Sequence, residues 1–293
     1  MKVHLVDGTY ELFRHFFGAP SHRNSQGSEV AAVRSAVEST LGMLSAGATH
    51  IGVATDHVIE SFRNDLWAGY KRGDGIDPVL WSQAHPLELA LEALGVTVWP
   101  MVDVEADDAL ASAAAVAADD LSVEQVLICT PDKDLGQCVQ GTRVVQLDRR
   151  KKLIMDEEAI VTKFGVSPTS IPDYLALVGD SADGFPGLPG WGAKSASAVL
   201  AQWGHIEDIP ADPSDWKVDV RGAVKLAASL QAESEAAALF KVLATLRVDR
   251  SILPSVGDLE WRGPTEHFES ICEVIDAPRL LTRARDLADA RLT

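Results

Sequence analysis

The chain has 293 residues, 46% of them hydrophobic and 6% aromatic, with a formal net charge of −17. That balance fits a globular protein with one large or two modest cores. No apolar run approaches the ~20 residues a membrane-spanning helix needs, and so acidic a chain has no global field for nucleic acid, leaving only local basic patches to meet phosphate.

The N-terminus, Met1-Lys2-Val3-His4, enters a strand pattern at once and is unlike a signal peptide. Residues 3–6 read as a buried strand that runs into Asp7, and 29–44 read as a helix. A second strand at 51–54 is followed by Asp56, a helix at 82–94 and a third strand at 96–99. The alanine-rich stretch 107–118 reads as a helix opened by Glu105, Asp107 and Asp108, small side chains suiting it to close packing on a sheet. Strand 126–129 leads to Asp132 and Asp134, and strand 144–147 to the basic run Arg149-Arg150-Lys151-Lys152, expected as a solvated hairpin tip. Strand–helix alternation of this kind implies an α/β fold with a mainly parallel sheet covered on both faces.

Strand signals fade from about Phe164. Asp180 and Asp183 lie near a helix end, a Gly/Pro-rich loop fills 184–192, a Pro/Asp-rich connection fills 205–222, and 223–246 is again helical. The expected division is an α/β region over 1–166 and a helical region over 167–293. Cys129, Cys138 and Cys272 are too scattered for a disulfide framework or a zinc site and are expected as reduced thiols in a cytoplasmic protein.

In an open parallel sheet, ligands gather at the carboxyl ends of the strands. A single Asp there is most simply a helix cap or loop residue. Nine acids in five clusters converging on one rim would repel unless cations sat between them. Oxygen-only donors suit Mg²⁺ or Mn²⁺ rather than zinc, and a pair of such ions suits phosphodiester hydrolysis. The eight histidines show no metal spacing, and His57, beside Asp56, receives no role.

The motifs then match a family. Leu5-Val6-Asp7-Gly8, Thr55-Asp56, Ser61-Phe62-Arg63, Gly69-Tyr70-Lys71, Glu105-Ala106-Asp107-Asp108, Asp132-Lys133-Asp134-Leu135, Gly179-Asp180 with Asp183-Gly184, and Gly187, Gly190, Gly192, Lys194 and Ser195 stand in order. In this the chain resembles the 5′ nuclease and flap endonuclease family, most of all the 5′-3′ exonuclease domain that begins bacterial DNA polymerases I, here without a polymerase. The resemblance covers residue 5 to about 253.

It implies a PIN-like, resolvase-like core with a helical arch around 57–85, and a helical region bearing a helix–three-turn–helix (helix-hairpin-helix-like) motif. It implies metal-ligand roles for Asp7, Glu105, Asp107, Asp108, Asp132, Asp134, Asp180 and Asp183, with Asp7 and Asp56 completing the site. Arg63, Tyr70 and Lys71 would lie on the arch with Arg72, and Lys71 would reach the scissile phosphate. Gly187, Gly190, Gly192, Lys194 and Ser195 would grip duplex DNA, with a K⁺ on the loop carbonyls. The implied partners are DNA with 5′ flaps, nicks or 5′ ends and a separate DNA polymerase, for a monomer that binds no membrane.

Three positions depart from the pattern: Gly184 replaces an Asn, Asp74 an arch Arg, and Ser195 a Thr. A triphosphate loop is excluded, since Ala193 rather than Gly precedes Lys194 and a helix rather than a strand leads in. Trp67, Tyr70 and Trp81 suit base stacking or a local core equally. The alternatives are a phosphatase, which would need a second acid after Asp7-Gly8-Thr9, and a DNA-binding scaffold without chemistry.

Overall fold

The structure, a computed structural model, describes residues 1–292. β1 (Lys2–Asp7) passes directly into α1 (Gly8–Gly18), because the Asp7 carboxylate caps the helix by accepting the Tyr10 N–H at 2.8 Å. α2 (Ala31–Ser45) and β2 (His50–Asp56) follow. The expected arch segment holds only two short helices, α3 (Phe62–Leu66) and α4 (Pro78–Trp81). Gly69, Gly73 and Gly75 lie between them, and α4 restarts at a proline behind Asp77, which caps Val79 N–H at 2.7 Å. Next come α5 (Ala84–Ala93), β3 (Thr97–Met101), α6 (Ala106–Asp119) and β4 (Gln125–Cys129). β5 (Val144–Asp148), β6 (Leu153–Met155), α7 (Glu157–Phe164), α8 (Ile171–Val178) and α9 (Ala193–Trp203) follow. The chain ends through α10 (Ala223–Ala232), α11 (Ser234–Ala244), α12 (Phe268–Val274) and α13 (Pro278–Leu292).

The chain forms two compact units. The first comprises residues 1–59, 73–130 and 248 onward. Its four strands run parallel in the order β3-β2-β1-β4, with Leu5 opposite both Gly52 and Ile128. Leu5, Val53 and Ile128 are at most 1% exposed, each such burial contributing about 1.5–3 kcal/mol. α6 lies across all four strands, with Ala109, Ala113, Ala114 and Ala117 buried beneath it. Parallel pairing sends the carboxyl ends of these strands to one edge, which sets Asp7 beside the end of β2. α12 packs on α5, and α13 on α2 and α12.

The second unit comprises residues 60–72 and 131–247. β5 and β6 form an antiparallel hairpin, Leu147 opposite Ile154, and the basic run occupies its turn as expected. α8 packs between α9 and α11, and the Phe185 and Phe240 rings stack at 5.6 Å. Ile160 and Val166 share a core with Ile171 and Leu175, so the hairpin and α7 pack within the second unit. Among the described residues, no helix is long and apolar enough to cross a membrane.

Candidate active site

In the first unit the expected acids occupy strand ends and the start of α6. Asp7 is 8% exposed; one oxygen accepts the Tyr10 N–H at 2.8 Å and the other the Thr130 hydroxyl at 2.9 Å. Asp56 reaches the first residue of α6, accepting the Ala106 N–H at 2.9 Å, while its own N–H donates to Thr9 Oγ1 at 2.8 Å. Glu105 and Asp108 cap α6 reciprocally, with the Glu105 N–H donating to Asp108 Oδ2 at 3.0 Å. Both are buried and Asp107 is half-buried. The helix N-terminus faces this acidic group, and its partial positive charge stabilises each carboxylate by about 0.3–1 kcal/mol. Capping and cation binding are compatible, since a carboxylate has about four lone-pair directions.

In the second unit, carboxylate oxygens of Asp134, Asp180 and Asp183 lie within 4.8 Å of one another. All three residues are buried, at 6%, 3% and 7% exposure, and Asp132 stands exposed beside them, accepting the Asp134 N–H at 3.0 Å. Burial first, then the charges of Asp132 and Asp183, push the Asp134 carboxyl well above the usual carboxylate range. Two lysines offset this charge. Lys133 Nζ is 2.5 Å from Asp180 and 3.8 Å from Asp134, and Lys71 Nζ is 3.2 Å from Asp183. Burial pulls Lys133 down, but Asp134, Asp180 and Asp132 outweigh it and hold the ammonium above its usual value. Sequence reasoning gave Lys133 no role; its only signal was its place between two acids.

Asp134 Oδ1 still has no hydrogen-bond partner among the described residues. An orphaned buried acceptor costs about 1–3 kcal/mol. A buried, oxygen-only donor set that carries such an atom fits a hard divalent cation.

The segment before Lys71 is fastened to the acidic turn. The Lys71 N–H donates to Asp183 O at 3.0 Å, and the Trp67 indole N–H to Gly184 O at 3.0 Å. Gly184 has φ +83°, and a Cβ there would lie 2.0 Å from Gly69 O. The departure from Asn therefore accompanies a backbone approach that leaves no room for a side chain.

Two residues expected to face DNA are interior. Tyr70 is 3% exposed within the second unit's core. Arg63 is 1% exposed, donating from Nε to Leu243 O at 2.8 Å and from Nη2 to Thr245 O at 3.0 Å. Those carbonyls end α11, where the helix supplies no donors of its own. Trp67 packs edge-on against Phe240, centroids 5.3 Å apart. Arg72 is exposed.

The glycine loop divides by purpose. Gly187 has φ +72°, and a Cβ there would lie 2.4 Å from Gly179 N, so the fold itself requires it. Gly190 and Gly192 are exposed, and nothing lies within 4 Å of a Cβ at Gly192. Ser195 Oγ bonds to both backbone groups of Gly192, at 3.0 and 2.9 Å, closing the first turn of α9. Lys194 is exposed on that turn, where a helix N-terminus favours anions. Trp191 packs inside, its indole N–H on Leu226 O at 3.2 Å.

Residues 2–165 match the family described as 5′-3′ exonuclease, N-terminal resolvase-like domain, and residues 166–267 match 5′-3′ exonuclease, C-terminal SAM fold. DNA polymerase I of Pseudomonas aeruginosa is 33% identical over 257 residues, which is 84% of this chain and 27% of that protein. DNA polymerase I of Bacillus caldotenax is 31% identical over 295 residues, 94% of this chain and 32% of that protein. The chain thus spans a third or less of these relatives' length. A 5′-3′ exonuclease of Aquifex aeolicus is 31% identical over 212 residues, 71% of each chain. Among solved structures, T5 5′-exonuclease with bound divalent metal ions (zinc) superposes with a TM-score of 0.65 at 17% identity, over 99% of both chains. The catalytic core of Rad2 in complex with DNA substrate superposes at 0.63 and 14% identity, over 98% of this chain and 92% of that one. At these identities the two structures establish a shared fold.

Proposed function

The chain belongs to the 5′-3′ exonuclease family, and from this we propose that it is a structure-specific 5′ nuclease. It hydrolyses phosphodiester bonds of branched or 5′-ended DNA, as a flap endonuclease and 5′-3′ exonuclease. The observation that carries the reading is the buried group Asp134, Asp180 and Asp183, with an orphaned oxygen and Lys71 at 3.2 Å from Asp183.

Asp7, Glu105, Asp107 and Asp108 in the first unit, with Asp56, would hold Mg²⁺ or Mn²⁺, and in the second unit Asp132, Asp134, Asp180 and Asp183 would do the same. Bound there, such ions supply Lewis acidity to a phosphate oxygen and lower the pKa of water. The protein's own groups do the rest. Lys71, fixed through its backbone to Asp183 O at 3.0 Å, presents an ammonium to the charge that grows on the scissile phosphate. Lys133, 2.5 Å from Asp180 and 3.8 Å from Asp134, offsets part of the acidic group's charge. Arg63 positions the segment by tying it to the end of α11. Lys194 and Arg72 meet backbone phosphates, with the exposed turn Gly190–Gly192 allowing close approach and its carbonyls suited to K⁺. The protein acts as a monomer in the cytoplasm on 5′ flaps, nicks and 5′ ends, beside a separate DNA polymerase.

The test is cleavage of a 5′-flap oligonucleotide in Mg²⁺, in Mn²⁺ and in excess EDTA. Cutting with either ion and none in EDTA is expected. Undiminished cutting in EDTA overturns the metal assignment, and tight binding without cutting in either ion favours a non-catalytic scaffold.

A further inference from the structure

A second set of ligand-type side chains meets in the first unit, apart from the acids described above. His85 and Glu88 stand three residues apart on α5, and His57 comes from the segment leaving β2. One nitrogen from each ring and one oxygen of Glu88 lie within 4.8 Å of one another. Glu88 is 5% exposed. Its Oε1 accepts the Thr55 hydroxyl at 2.7 Å, and its Oε2 lies 2.8 Å from His57 Nδ1. The two imidazoles stack, centroids 4.0 Å apart and 5° from parallel, and His85 is exposed.

Capping does not explain Glu88. It lies mid-helix among Leu87, Ala90 and Leu91, which are at most 2% exposed, where a carboxylate is costly unless it serves a partner. The arrangement follows the way histidine sites are built. With Nδ1 deprotonated, its lone pair and the Glu88 carboxylate, 2.8 Å apart, would repel without a cation, so an ion that replaces the shared proton takes both as ligands. The i, i+3 spacing presents two donors on one helix face. Inspection of histidine spacing alone misses the set, because α5 carries one histidine and one acid, and the other histidine lies 28 residues before His85.

We propose that His57, His85 and Glu88 form a divalent-cation site for a borderline ion such as Zn²⁺. Two imidazole nitrogens and one carboxylate, with water in the open position, suit zinc, whereas the oxygen-only groups suit Mg²⁺ or Mn²⁺. Ligand atoms around zinc stand roughly 3.3–3.5 Å apart, given bonds of about 2.0–2.1 Å. His85, being exposed, closes the remaining distance by turning out of the stack. The ion ties α5 to the end of β2, and so restrains the strand end that carries Asp56.

The test is calorimetric titration of Zn²⁺ into the chelator-stripped full chain, with Mg²⁺ saturating throughout to occupy the oxygen-only groups. Wild type is expected to bind one Zn²⁺ per chain under these conditions and to gain thermal stability from it. His85→Ala, at an exposed position, is expected to fold as wild type does and to bind zinc at least about 10-fold more weakly. His57→Gln gives the same comparison should His85→Ala unfold. Asp134→Asn is expected to bind zinc as wild type does. Identical isotherms for wild type and both histidine variants overturn the proposal, as does zinc binding that is lost in Asp134→Asn instead.

Discussion

Gly184 stands where two backbones approach too closely for a side chain. The family pattern puts Asn there, and Asn tolerates positive φ, so φ alone does not exclude it. The obstacle is Gly69 O, 2.0 Å from the position of a Cβ. Gly184→Asn should therefore push away the 67–71 segment and destabilise the protein by about 1–3 kcal/mol, read as a lower urea midpoint. An unchanged midpoint would mean that the segment yields freely. At this scale the sequence marked the acids by motif but not what surrounds them. Asp134, Asp180 and Asp183 were visible by motif. Lys133 and the Gly69–Gly184 approach were not, because each depends on a partner far along the chain.

α11 ends on a buried guanidinium. Arg63 lies 180 residues before its acceptor Leu243, a distance over which local periodicity carries no information, and the family resemblance implied only a place on the arch. Arg63→Met keeps much of the side-chain volume and removes the donors. It should destabilise the protein by about 1.5–3 kcal/mol, the range for hydrogen bonds to a charged group, with the loss visible in thermal unfolding without DNA. An arginine used only to hold DNA would leave the unfolding curve unmoved. Lys194 on α9 is the contrasting case. It is exposed, so Lys194→Ala should leave stability alone, weaken binding to all duplex sequences alike, and reduce the slope of log affinity against log salt by about 1. Binding lost on one sequence only would indicate base readout instead. The strands and long helices were legible in the sequence because their periods are local: α2, α5 and α6 formed within a few residues of the expected bounds. The 57–85 segment was less so, since glycines and a proline leave helix length there to tertiary contacts.

Over the whole molecule, several buried acids among the described residues are paired with cations. Asp173, 0% exposed, pairs with Lys241 at 2.8 Å and His205 at 2.9 Å and accepts the Ile206 N–H at 2.9 Å. Glu207 pairs with the same lysine at 2.7 Å, and that hydrogen bond, more than any other influence, holds its carboxyl below the ordinary 4.5. A carboxylate whose folded pKa is depressed stabilises the fold above its unfolded pKa, and that stability is lost as pH falls through the lowered value. Wild type should therefore exceed Glu207→Gln in urea midpoint near neutrality by a constant margin, which shrinks only below about pH 4.5. A margin independent of pH across the acid range would remove the ion pair as its source. The fold class was legible from strand–helix alternation. Which residues gather in each compact unit was not, because it depends on which apolar faces share a core.

The acidic group of the second unit carries the functional account, and Asp134 is the residue at which folding and chemistry make opposite demands. Its carboxyl is buried among like charges that outweigh Lys133, with one oxygen lacking a hydrogen bond, so losing the charge should not harm the metal-free fold. The direct test is the Mg²⁺-dependent single-turnover cleavage rate of a 5′-flap substrate by Asp134→Asn, once its EDTA melting temperature is shown to equal or exceed that of wild type. A fall of at least about 100-fold is predicted, the scale seen when a group that stabilises transition-state charge is removed. Cleavage at the wild-type rate would contradict the assignment of this group as the metal-binding heart of the proposed nuclease.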